Sequence, residues 1–68
     1  MKPGDTVMIT DVPERARGLV AVGMLATIEE IDDPRCRDAA AELDIVQIRI
    51  VETGWHFFWS VSMLGEKQ

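Results

Sequence analysis

Apolar and polar residues alternate at period two over four stretches of this chain, the spacing of strands that bury one face. In residues 5–10, Val7 and Ile9 alternate with Thr6, Met8 and Thr10, behind a Pro3-Gly4 turn signal and ahead of Pro13. Residues 24–31 predict a second strand. There Ala26 and Ile28 share a face while Ile31 falls on the other, a break that a bulge or bend near Glu29-Glu30 would reconcile. The third stretch, 45–51, is the clearest, with Val46, Ile48 and Ile50 on one side and Gln47 and Arg49 on the other. In the fourth, 55–61, Trp55, Phe57 and Trp59 share one face and His56, Phe58 and Ser60 the other. Glu52-Thr53-Gly54 joins the last two as a tight turn in which Gly54 supplies a positive φ, so together they predict a hairpin.

The connections differ in kind. Residues 11–23 hold Pro13, Gly18, Gly23 and the charged Glu14-Arg15-Ala16-Arg17, and predict a long irregular loop that returns on itself through Leu19-Val20-Ala21-Val22. Residues 34–43 are the helical candidate: Asp33 caps, Pro34 suits the first helical position, and Ala39-Ala40-Ala41 favours the helix. A segment this short is marginal alone, so one to two turns inside a connecting loop are expected. Met63-Leu64-Gly65 predicts a closing 3₁₀ turn and a last short pairing.

Sixty-eight residues make one domain, and a 47% hydrophobic content is too high for a disordered tail. Twelve Asp and Glu against seven Lys and Arg leave a net charge of −5. The cations (Lys2, Arg15, Arg17, Arg35, Arg37, Arg49 and Lys67) are dispersed, so nucleic acid, whose affinity comes from basic side chains on phosphates, is disfavoured as a partner. One cysteine, Cys36, and one histidine, His56, build neither an internal disulfide nor a metal site, and no cofactor motif is present. The free thiol points to a reducing compartment, the cytoplasm. The opening Met-Lys-Pro-Gly-Asp lacks a signal peptide's apolar region, and no apolar run nears the ~20 residues of a membrane span.

Several residues carry a resemblance. Pro3-Gly4-Asp5-Thr6-Val7 resembles the "GD-x-V" opening of many SH3-like small barrels. Gly23-Met24-Leu25-Ala26-Thr27-Ile28 is similar to their "G-x-x-G-T-V" second strand, with Ala26 where glycine is common. Trp59-Ser60-Val61-Ser62-Met63-Leu64 resembles the ending in which a strand passes through a 3₁₀ turn to a core leucine. KOW-type ribosomal and transcription modules, a small subunit of photosystem I and the variable chain of ferredoxin–thioredoxin reductase share this outline. The resemblance implies a mostly β, SH3-like small barrel of about five strands, one domain over 1–68, that docks on larger partners and is not an enzyme. KOW modules bind RNA through basic loops, a pattern from which this acidic chain departs.

The aromatic strand is where function is expected. A core this small has room for the Trp55, Phe57 and Trp59 rings, which leaves Phe58 outward beside His56. In peptide-binding SH3 domains the groove uses outward residues before and within the last 3₁₀ turn; by resemblance these are Phe58, Ser60 and Met63. With His56, and with Met8 of the first strand, they form the expected protein-binding patch, against the alternative that residues 34–43 cover Phe58. His56 reads as a partly exposed strand residue, since no spacing supplies a general base with a nucleophile. Cys36 lies between Arg35 and Arg37, which favours its thiolate if it is exposed. Glu29, Glu30, Asp32 and Asp33 are the densest charge cluster, either a solvated strand end or a docking site for a basic partner. A KOW-type nucleic-acid module and a subunit of an oligomeric enzyme are the competing readings, and exposed strand edges permit a homodimer.

Overall fold

Hydrophobic alternation is converted directly into burial. In a computed structural model that describes residues 2–66, Val7, Ile9, Ala26, Ile28, Ile48, Ile50 and Trp59 are all buried. They belong to antiparallel strands β1 (Thr6–Ile9), β2 (Leu25–Glu29), β3 (Ile45–Ile50) and β4 (His56–Ser60), followed by a 3₁₀ turn (Val61–Met63) and β5 (Leu64–Glu66). The strands form one sheet in the order β4-β3-β2-β1-β5. Register stacks the inward residues across it: Val7 faces Ala26, Ala26 faces Ile50, Ile28 faces Ile48, and Val46 faces Trp59. Each buried isoleucine or valine contributes about 1.5–3 kcal/mol by leaving water. β4 and β5 are the two edges, so the sheet is not closed by hydrogen bonds into a ring of strands.

The long β1–β2 loop does return on itself. It makes a 3₁₀ turn (Glu14–Ala16) and a bridge between Arg17 and Val20, and it buries Ala16 and Val20 against the core. The β3–β4 turn closes at Gly54, whose φ of +78° requires a residue without a Cβ penalty. Three expectations are corrected. β2 ends at Glu29 and its register with β3 runs unbroken, so Ile31 lies outside the strand and no bulge is needed. Val61 belongs to the 3₁₀ turn rather than to β4. Trp55 precedes β4, where the sheet no longer covers it.

The one helix among the described residues, α1 (Pro34–Glu42), has nine residues, about two and a half turns at the usual ~3.6 residues per turn, longer than the expected one to two. Asp33 caps it by accepting from the Arg35 amide at 2.9 Å, and the chain leaves it through Asp44, at φ +52°. Since α1 buries only Ala40, its stability rests heavily on that cap. Asp33→Ala is expected to cost about 1 kcal/mol and to speed amide exchange within α1 first. Unchanged exchange in α1, followed by NMR, would contradict this. No helix among the described residues is long and apolar enough to cross a membrane.

Candidate functional site

β4 is held by β3 residue for residue, with Ile48 opposite Phe57, Gln47 opposite Phe58 and Ile45 opposite Ser60. Alternation then does the sorting. Trp59 is 2% exposed and Phe58, its neighbour in the chain, is 50% exposed. Phe57 is half-buried and meets the Trp59 ring edge-on, with centroids 5.9 Å apart and planes at 72°. The expectation that both indoles are buried fails at Trp55, which is 53% exposed. It sits on the correct side of the strand but beyond its end, touching Phe57 at 6.4 Å between centroids. The core therefore takes one indole, not two.

Beside Trp59 lies a cleft of about 190 Å³, lined by Phe58, Trp59 and Ser60 of β4, Met63 of the 3₁₀ turn, Ile45 of β3, and Pro13 and Arg15 of the long loop. Phe58, Ser60 and Met63, three of the residues the sequence points to, are brought together here. Ser60 Oγ is 2.9 Å from Ser62 Oγ at its rim. Pro13, Arg15 and Ile45 are additions, because nothing in their spacing reveals where a long irregular loop comes to rest. Met8 does not join the patch. It is 37% exposed on the same side of the sheet, but on β1, three strands from β4. Nor does α1 cover Phe58: it packs over the start of β3, where Ala40, Ala41, Ile28, Ile31, Ile45 and Val46 frame a second cleft of about 300 Å³.

His56 shares the outward face with Phe58 but is engaged. Its Nδ1 is 2.5 Å from Glu29 Oε1, which also accepts from Gln47 Nε2 at 3.2 Å. With Glu29 the acceptor, Nδ1 carries the proton. The Glu29 carboxyl is held below its ordinary value of 4.5, first by the hydrogen bond from His56, against the opposing cost of partial burial, with Gln47 and the His56 and Arg49 charges adding to it. A lowered folded-state value means the pair stabilises above pH 4.5 and loses that contribution as the pH falls through the folded value. The melting-temperature advantage of the wild type over Glu29→Gln is therefore expected to shrink below pH 4.5 and vanish once the carboxylate is protonated. It should be small, since the His56 side chain is 58% exposed and screened by water. An advantage that grew on acidification would contradict the pairing.

The acidic cluster is thus divided. Glu29 serves His56 and Gln47, Asp33 caps α1, and only Glu30 and Asp32 of the four are left exposed without a partner among the described residues. Cys36 is exposed on α1 and unpaired. Among the described residues no group of three or more His, Cys, Asp or Glu side chains is placed to hold a metal ion. His56 and Glu29 are an acid–base pair with no nucleophile hydrogen-bonded to it among those residues. What the β4 cleft presents is apolar surface with polar groups at its rim. No protein-family model, curated protein or solved structure matches this chain.

Proposed function

We propose that this protein is a small non-catalytic accessory or regulatory subunit that binds a larger protein through the cleft at Phe58, Ser60 and Met63. The observation that carries the reading is the half-exposed Phe58 ring on β4, beside Met63 and Pro13, with none of the described elements laid over it. A large apolar side chain held by the sheet loses little further freedom on binding, which favours it as an anchor. The fold is read as an SH3-like small barrel in outline. Support comes from the long β1–β2 loop, the β3–β4 hairpin, and the 3₁₀ turn that runs into buried Leu64 and returns β5 to β1. The free thiol of Cys36 supports a reducing, cytoplasmic setting.

Capture from an extract of the source cells tests this. The wild type should recover a partner that Phe58→Asp loses and Val51→Asp keeps, Val51 being a comparably exposed residue outside the cleft. Equal recovery by wild type and Phe58→Asp would overturn the assignment.

A further inference from the structure

β4 is an edge of the sheet, so among the described residues one side of its backbone has no neighbouring strand. Which groups lie on that side follows from the hydrogen bonds at its ends. The Ile50 amide donates to Trp55 O, and the Val61 amide to Asp44 O, both at 2.8 Å. Between these two bonded pairs the antiparallel alternation makes Ile48–Phe57 and Val46–Trp59 the bonded pairs. The N–H and C=O groups of His56, Phe58 and Ser60 then point away from β3, toward the open edge. Lys, Pro and bulges are among the devices that blunt native edge strands, and the five-residue sequence His-Phe-Phe-Trp-Ser has none of these three.

The cleft meets this edge. Phe58, Trp59 and Ser60 alternate between the faces of the sheet, so a cleft lined by all three follows the strand's side rather than one face. Trp59 lines the cleft, and its indole N–H is buried with no acceptor among the described residues. Arg15, at the rim, makes no ion pair or hydrogen bond among the described residues. An apolar cleft that offers backbone edge groups and an unpaired guanidinium is complementary to an extended chain bearing a carboxylate.

We infer that the partner inserts an extended segment as an added strand along β4, with an acidic side chain received by Arg15. The inference rests on the reading of this cleft as the docking site and specifies how it is used. A second copy of the chain is the competing occupant, and the mass measurement below distinguishes it.

The test is an NMR titration of the isotope-labelled protein with two capped heptapeptides, one alternating valine with glutamate and one alternating valine with lysine. The acidic peptide should move the Phe58 and Ser60 amides and the Trp59 indole N–H, leave the Trp55 indole in place, and bind about ten-fold more tightly than the basic one. Arg15→Glu, a change on an exposed loop residue, should reverse that order. Equal binding of the two peptides, or shifts centred on Trp55 and Val51, would overturn the inference. So would a wild-type mass of twice 7.6 kDa that Phe58→Asp returns to one copy, since that places a second chain on the edge. If Phe58→Asp abolishes partner capture while neither peptide moves the Phe58 and Ser60 amides, the docking site stands and the added-strand mode falls. If capture is also indifferent to Phe58, both fall.

Discussion

Trp59→Ala is expected to leave the chain unfolded at 25 °C. Trp59 is the one aromatic ring fully inside the core, 2% exposed, opposite Val46 and edge-on to Phe57. Truncating a buried tryptophan or phenylalanine to alanine costs about 3–5 kcal/mol. A single core in a chain this short seldom supplies more than about 3–5 kcal/mol in total. Circular dichroism should show the strand signal lost and no cooperative melt. Trp59→Phe is the informative companion. It keeps a ring in place and removes the indole donor that has no acceptor, so part of the lost packing is offset and the variant should remain folded. A Trp59→Ala protein that melted cooperatively near the wild-type temperature would mean that the core lies elsewhere.

One residue back along the chain the consequence should invert. Phe58→Asp replaces a half-exposed ring that no described element covers, so its folding stability should change by no more than about 0.5–1 kcal/mol. Binding of the partner should fall by about 30-fold or more, because truncating a central aromatic anchor costs about 2–4 kcal/mol and here a charge is also placed in an apolar cleft. Calorimetric titration of the recovered partner, alongside thermal melts of the two proteins, separates these quantities. A Phe58→Asp variant that unfolded would show the ring to be a core residue. One that bound as the wild type does would show it to be an incidental exposed phenylalanine, of the kind found singly on many surfaces.

Much of this arrangement is legible in the residues themselves. Val7 and Ile9, the 45–51 alternation and Gly54 announce β1, β3 and the hairpin, because period-two burial and a positive-φ turn are local demands. Asp33 and Pro34 announce α1 for the same reason, since a cap and a fixed φ act over one turn. What escapes is what depends on distance through space. Alternation reveals the side on which Trp55 lies but not that the sheet stops at His56 and leaves its ring in water. An outward direction groups Met8 with Phe58, yet strand order puts β1 three strands from β4. The Glu29–His56 contact joins residues 27 apart through registers that run across β3. The resting place of Pro13 and Arg15 depends on how a loop with no periodicity packs, with Ala16 and Val20 as its buried anchors.

Hydroxyl-radical footprinting, read residue by residue on the free protein and on its complex, bears most directly on the claim that β4 turns one aromatic face to the core and the other to a partner. Phe58 should be modified in the free chain and protected in the complex. Trp59 should resist in both, and Trp55 should react in both. Phe58 equally reactive with and without the partner, or Trp59 as reactive as Trp55 in the free chain, would contradict it.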